Sequence, residues 1–210
     1  MFKENYYKKI NTFKISSDFG DLRKYGKHRG KDYTSNLFKK QDVYNLIAGN
    51  VYEFGGTDKF HPEDRFAGKF VKIRHNLKYM NGVDCVFFSM YKHLSKINNS
   101  VIRNARQKLK KNLIHPGEIL GKMGNTGYSK TREGEEWRFV TDMEKQNFEC
   151  KKGVHLHLEF YTYGTKLLNE LRQLKHLIDF DVYDFVIKNG KYYINPDSII
   201  KYCEYLLTKL

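Results

Sequence analysis

The sequence predicts a mainly β protein, an antiparallel sheet core with a few helices, the last of them at the C-terminus. Three observations predict it. Between residues 11 and about 127, short runs of alternating or β-rich residues are punctuated by glycine turns. Helical spacing of apolar residues enters only after residue 164. Hydrophobic residues make up 40% and aromatics 15% of a 210-residue chain, enough to build a core of this kind.

The elements follow in order. "TFKISSDFG" alternates, with Phe13, Ile15 and Phe19 on one parity, and reads as a half-buried strand that ends at Gly20. "NLIAGNVYEFGG" is a second strand, interrupted by Gly49 and closed by a glycine pair. "GKFVKIRH" and "DCVFFSMYKHLS" are the third and fourth, and Asn81–Gly82 between them is a hairpin turn. "HPGEILGKMGNTGYS" places a Pro-Gly turn before a short strand and an Asn-Thr-Gly turn after it. Residues 128–153 are polar and charged and read as a surface excursion. "GVHLHLEFYTYG" closes the strand series. In "TKLLNELRQLKHLIDF", Leu167, Leu171, Leu174 and Ile178 recur at helical intervals. "VYDFVIKNGKYYINP" is a hairpin about Asn189 and Gly190, and "PDSIIKYCEYLLTKL" is an amphipathic helix capped by Asp or Ser. The expected organisation is one domain over 1–210, with a core at about 11–164, an insert at 128–153 and a helix–hairpin–helix appendage at 165–210.

With 38 Lys and Arg against 24 Asp and Glu, the formal net charge is +14. That favours polyanions such as nucleic acid, anionic membrane or wall teichoic acids, and it equally describes a lysine-rich surface. The basic residues are spread along the chain instead of being interleaved with aromatics in one stretch, so no nucleic-acid partner is expected. Cys85, Cys150 and Cys203 are odd in number and far apart, which argues against a cysteine zinc site or a disulfide framework. No apolar run reaches membrane-span length, and "MFKENYYKKINTF" lacks the apolar stretch of a secretory signal.

The chemistry lies in the histidines. In "VHLHLEF" read as a strand, Val154, Leu156, Leu158 and Phe160 point to one face and His155, His157 and Glu159 to the other. Alone, this pattern describes partly exposed strand histidines as well as a metal or catalytic pair. In "GKHRGKD", Gly26 and Gly30 argue for a loop or strand edge around His28 and Asp32. Imidazole and carboxylate both suit zinc, and two ligands here plus one from a distant strand leave an open fourth position of the catalytic kind. The alternative is a surface loop in which Asp32 pairs with a nearby cation. His93, just past Tyr91 in "MYKHLS", is placed to line a cleft or to be a hydrogen-bonded rim histidine. His61, His75, His115 and His176 read as structural or solvated.

The ordered set "SSDFG", "HRGKD", "GKFVKIRH", "YKHLS", "PGEILGKMGNTGYS" and "HLHLEF" resembles the lysostaphin/LytM-type zinc metallopeptidases over roughly residues 13–160. "INPDSII" is similar to the Asn-Pro segment that often closes such domains. The resemblance implies one Zn²⁺ per chain held by His28, Asp32 and His157, with His93 and His155 as the catalytic pair. One of the pair would serve the metal-bound water and the other the oxyanion; His155 is preferred for the first and His93 for the second, although the sequence does not separate the two roles. Tyr91 and Trp137 become groove candidates, and Glu159 a candidate to orient an imidazole. The implied function is a peptidoglycan endopeptidase cutting stem or cross-bridge peptide bonds at the bacterial wall. Anionic wall polymers are further expected partners, and delivery as a phage lysin or virion tail component fits the lysine- and tyrosine-rich composition. A catalytically inactive wall-binding, regulatory or tail structural module of the same fold is the alternative. Two departures stand out. Lys31 occupies a position where the family usually has a small apolar residue, and 27 residues, Tyr128 to Val154, separate "NTG" from "HLH" where the family commonly has few. The insert is expected to form one wall of the groove, with "REGEE" and Trp137 on it, or to be a disordered surface loop.

Overall fold

A computed structural model of the chain describes residues 13–24, 26–34, 41–56, 64–78, 84–106, 113–134, 136–141, 143, 152–174 and 185–207. In chain order the elements are β1 (Lys14–Ser17), β2 (Leu22–Arg23), β3 (Gly26–Lys27), β4 (Lys31–Thr34), β5 (Asp42–Tyr44), β6 (Gly49–Gly55), α1 (Asp64–Ala67), β7 (Lys69–Lys78) and β8 (Asp84–Leu94). They continue with β9 (Lys96–Ile97), α2 (Asn99–Arg106), β10 (Leu113–Ile114), β11 (Ile119–Lys122), β12 (Lys130–Glu133), β13 (Glu136–Phe139), β14 (Leu156–Thr162), α3 (Lys166–Gln173), β15 (Phe185–Lys188), β16 (Lys191–Ile194) and α4 (Pro196–Leu207). Among the described residues, no helix is long and apolar enough to cross a membrane.

The principal sheet is antiparallel and runs β1-β4-β14-β8-β7-β6-β10. β14 is its organising strand. One edge pairs with β8 along its length, and the other pairs first with β4 at Leu156–Leu158 and then with β16 at Phe160–Thr162. The alternation in "HLHLEFY" is realised: Leu156, Leu158 and Phe160 enter the apolar core with Val71, Ile73, Phe87 and Leu94, while His157, Glu159 and Tyr161 face the other side. α3, through Leu167, Leu168 and Leu171, and α4, through Ile199, Ile200 and Cys203, close the core from outside the sheet. The apolar stripes of these two helices are what make them helices in context.

Several expectations are amended. β1 is an edge strand, so Ile15 is 51% exposed even though Phe13 packs on the core. The second strand begins at Gly49, and residues 45–48 are an irregular buried segment. There Asn45 donates its amide to the carbonyls of Ile47 and Ile114, replacing strand pairing. α2 was not anticipated; it is short, polar overall and anchored by buried Val101. The 165–178 helix is observed to Gln173, and Ile178 lies outside the described residues, as do the Asn81–Gly82 turn, His61, His176 and Cys150. The C-terminal helix is capped by neither Asp197 nor Ser198. The Asn195 side chain accepts the Asp197 N–H at 3.1 Å and Pro196 takes the first helical position. The hairpin about Asn189–Gly190 forms, and its strand β16 joins the main sheet through β14, so the C-terminal segment is built into the core sheet instead of standing beside it.

Lys31 explains how the C-terminal segment is held. Its side chain is buried, its Nζ lies 3.2 Å from an Asp18 carboxylate oxygen, and it also contacts the Asp197 carboxylate at the start of α4. Burial alone would lower its pKa, but the two carboxylates outweigh that and raise it. One buried ammonium thus ties α4 to the loop that precedes β2.

His75 is a fully buried imidazole of the opposite kind. Its Nδ1–H donates to the Ala48 carbonyl at 2.9 Å, and Nε2 accepts from Ser89 Oγ at 2.8 Å. Burial holds its pKa down at about 4, against an ordinary 6.5. The unfolded chain takes up this proton below about pH 6.5, while the folded chain refuses it until about 4, so stability falls as pH drops through that window. The linked loss is about 3 kcal/mol when complete. Urea unfolding between pH 7 and 4 should show that slope, and His75→Gln should flatten it.

Candidate metal centre

The register of β4 against β14 sets Asp32 directly opposite His157. The strands come this close because residue 30 is glycine: a Cβ there would meet the Leu158 carbonyl oxygen at 2.3 Å and His157 Nε2 at 3.0 Å. His28 enters from the short loop between β3 and β4. Its backbone N–H donates to the Asp21 carbonyl at 2.8 Å, and its own carbonyl accepts the Gly20 N–H at 2.9 Å. The result is a buried cluster of three donor atoms from two segments. His28 Nε2 lies 3.1 Å from His157 Nδ1 and 3.4 Å from Asp32 Oδ1, and His157 Nδ1 lies 2.6 Å from the same oxygen.

The outer sides of the rings decide what the inner sides can do. His28 Nδ1 lies 2.7 Å from the Asp18 carbonyl, which can only accept, so that nitrogen carries the proton and Nε2 presents a lone pair. His157 Nε2 lies 2.9 Å from Glu159 Oε1, so it donates and Nδ1 presents a lone pair. The second Asp32 oxygen accepts Arg23 at 2.7 Å. Two imidazole lone pairs and a carboxylate oxygen therefore converge on one point with no donor among them. Such a site needs a cation. Without a metal, the nearest substitute is a proton. Burial would lower the His157 pKa, yet Asp32 and Glu159 raise it, and the same charge and hydrogen bond hold Asp32 well below the usual carboxylate range against its own burial.

The donor set fits zinc. Two neutral imidazoles and one carboxylate are the ligand types of catalytic zinc sites, and bonds of about 2.0–2.2 Å to a tetrahedral ion separate donors by roughly 3.3–3.5 Å. Two of the observed separations, 3.1 and 3.4 Å, approach this, and the 2.6 Å one is of hydrogen-bond length. Glu159 is buried behind His157, and its Oε1 also accepts Lys92 Nζ at 2.6 Å. The Lys92 ammonium and the His157 hydrogen bond outweigh burial and hold the Glu159 carboxyl far below its ordinary value. A ring N–H held by a carboxylate fixes tautomer and ring plane, the usual arrangement behind a metal-bound histidine.

His155 and His93 flank the cluster. His155 Nδ1 donates to the Gly153 carbonyl at 2.8 Å, and its Nε2 lies 4.0 Å from Asp32 Oδ1. His93 Nδ1 donates to the Thr126 carbonyl at 2.8 Å. The His93 ring centroid is 4.5 Å from that of His155 and 5.9 Å from that of His157. Burial lowers both pKa values, that of His93 well below 6.5, with the neighbouring imidazoles adding to the effect. Each of these rings also keeps an unprotonated Nε2. His93 holds φ at 61°, a left-handed conformation uncommon for a non-glycine residue and concentrated at functional sites.

Several solved structures resemble this chain. The catalytic domain of lysostaphin from Staphylococcus simulans is 20% identical, with 73% of this chain and 83% of that chain covered and a TM-score of 0.42. Lysostaphin in solution is 18% identical; 92% of this chain is covered, which spans about half (52%) of that one, with a TM-score of 0.47. A mutant catalytic domain of the prophage-encoded M23 protein EnpA from Enterococcus faecalis is 20% identical, covering 73% of this chain and 84% of that chain, with a TM-score of 0.42. No family model and no curated protein matches the chain. At these identities and scores, the chemistry of the site has to be read from its own atoms.

The structure brings His28, Asp32, His93, His155, His157 and Glu159 together. It does not bring Tyr91 to them. Expected to shape the cleft, Tyr91 lies in the core, opposite Leu158 in register, and its OH accepts the Leu46 N–H at 3.2 Å. Burial pushes its pKa up to about 12. Trp137 stands on β13 opposite Arg132, with its side chain outside the described residues. The face expected to be open is largely covered: His28, Asp32, His93 and His157 are all buried, and His155 is half-buried. Sequence reasoning missed Arg23 and Lys92. No local pattern marks them: Lys92 meets the site through the β8–β14 register, and Arg23 reaches Asp32 from the separate β2–β3 hairpin.

Gly30→Ala should therefore force β4 from β14, lowering stability by about 1–3 kcal/mol in chemical denaturation. Gly164→Ala, where an added Cβ meets nothing within 4 Å, should be close to neutral.

Proposed function

We propose that the chain is a zinc-dependent metalloendopeptidase that hydrolyses peptide bonds of bacterial peptidoglycan, in the stem or the cross-bridge. The observation that carries this reading is the convergence of lone pairs from His28, Asp32 and His157 on one buried point, with two further unprotonated imidazoles beside it. His28, Asp32 and His157 would hold one Zn²⁺, and Glu159 would orient His157. When bound, zinc polarises a peptide carbonyl and acidifies a water molecule.

The two remaining histidines supply proton transfer. His155 accepts the proton of the attacking water at Nε2. Asp32, 4.0 Å away, stabilises the imidazolium so formed, and Gly153 keeps Nδ1 outward. The same nitrogen then returns the proton to the leaving amine. His93 stands across from it, its Nδ1 committed to Thr126. To stabilise the developing oxyanion it would first have to take a proton at Nε2, against the burial that holds its pKa down.

We assign the site of action to the bacterial wall, where the +14 net charge favours anionic polymers. Delivery as a phage lysin or virion tail component rests on the composition, including 38 Lys and Arg and 16 Tyr.

The purified chain should contain one zinc by elemental analysis and release fragments from purified peptidoglycan, with activity lost to a chelator and restored by zinc. His28→Ala and His157→Ala should lose the metal. His93→Ala and His155→Ala should keep it while turnover falls by about 10²–10⁴-fold. Absence of zinc, or lysis that survives His28→Ala and His157→Ala, would sink the proposal. Mass spectrometry of the fragments names the bond cut. Lys92→Met, which removes the ammonium holding Glu159, should weaken zinc affinity about 10–100-fold in a chelator competition assay.

A further inference from the structure

Three exposed aromatic rings form a row. Phe66, Tyr128 and Phe139 are 65%, 37% and 51% exposed. Phe66 and Tyr128 are stacked with centroids 4.8 Å apart, and Tyr128 meets Phe139 edge-on at 5.1 Å. Three separate segments each supply one ring: α1, the loop after β11, and strand β13 of the insert.

The row is built, and it is tied to the candidate site. Gly68 and Gly127, with φ of +62° and +72°, cross in backbone contact; a Cβ on Gly68 would meet the Thr126 carbonyl carbon at 2.3 Å, and one on Gly127 would meet Gly68 N at 2.4 Å. This crossing sets Phe66 beside Tyr128, and the Tyr128 N–H donates to the Phe66 carbonyl at 3.3 Å. Thr126 lies in the same crossing. Its carbonyl holds His93, so the rings begin two residues, at most about 7 Å of chain, from the group that positions that histidine.

We propose that Phe66, Tyr128 and Phe139 form a stacking subsite for the glycan strand of the wall polymer, that is, for N-acetylated amino sugars. The choice of a wall sugar rests on the endopeptidase reading; the existence of a ring platform does not. Charge separates the candidate ligands. Glu133 takes a two-bond contact from Arg138 at 2.7 and 2.8 Å and another from Lys152 at 2.7 Å, and Lys130 Nζ sits 4.9 Å from the Phe139 centroid. Among the described side chains, Lys130, Arg138 and Lys152 are thus engaged, which disfavours a polyanion and suits a neutral ligand with apolar faces and polar edges. Three side chains also fall far short of the roughly 800 Å² per partner of a stable protein interface. Pyranose rings meet both conditions, since their C–H faces stack on aromatics and their hydroxyl and acetamide groups reach the charged rim.

The test uses the full chain, a β-1,4-linked N-acetylglucosamine hexamer as probe, and calorimetry together with NMR titration. Saturable binding is expected, with shifts at Tyr128 and Phe139. Tyr128→Leu and Phe139→Leu keep apolar volume and remove the ring, and each should weaken binding about tenfold. Both variants should keep wild-type zinc content and wild-type cleavage of a sugar-free peptide substrate, while slowing release from whole peptidoglycan. No saturable binding, or undiminished binding by both leucine variants, overturns the subsite. Equal loss on the sugar-free peptide also overturns it, by making the rings a peptide subsite, and so does ring-dependent dimerisation in sedimentation. Sugar binding is read without turnover, so a chain that binds the hexamer but lacks zinc would defeat the endopeptidase reading and leave the ring platform standing.

Discussion

The site depends on where four ring protons are sent. His28, His93, His155 and His157 each donate one N–H outward to an oxygen that can only accept: the carbonyls of Asp18, Thr126 and Gly153, and the carboxylate of Glu159. Neutral imidazole has one proton, so each ring is left with one bare nitrogen. Two of those nitrogens and Asp32 converge at 2.6–3.4 Å, an arrangement of acceptors that a protein interior does not tolerate without a cation. In the proposed reading, ion binding and base availability would come from a single device, applied four times.

Holding that device together takes charges from well outside it. Arg23 occupies one Asp32 oxygen and leaves the other to the histidines, and Lys92 does the equivalent for Glu159. Lys31 reaches both Asp18, whose carbonyl holds His28, and Asp197 at the start of α4. The C-terminal helix therefore bears on His28 through one buried ammonium. Such pairs cost much of their attraction in desolvation, so their value here is geometric.

How much of this was legible in the sequence follows from the physics of each feature. The two faces of β14 were readable because alternation is a local property, and so were the ligand candidates His28, Asp32 and His157, through ordered motifs. Tyr91 was misplaced for an instructive reason. In a regular strand, Tyr91 and His93 share a face, but His93 has φ of 61° and breaks the alternation, so one enters the core and the other the site. Lys92 and Arg23 were invisible because neither the β8–β14 register nor the placement of the β2–β3 hairpin near Asp32 is written in any local pattern. The Asn195 cap was missed because Asn195, Asp197 and Ser198 could all cap, and only the backbone chooses among them.

Thr126 shows why the loop side of the site is as constrained as the strand side. Its hydroxyl donates to the Leu94 carbonyl at 2.7 Å and accepts the Lys69 N–H at 2.8 Å, while its carbonyl holds His93. Gly68 and Gly127 press their backbones together around it. A left-handed histidine is costly to maintain unless its surroundings allow no alternative, and here three polar contacts and a glycine crossing remove the alternatives. The backbones of Phe66 and Tyr128 flank the crossing and are joined by the Tyr128 N–H to the Phe66 carbonyl. Binding at the rings and placement of His93 then draw on one preorganised unit, the condition under which a neighbouring subsite can orient a substrate at a reacting centre without itself touching the reacting atoms.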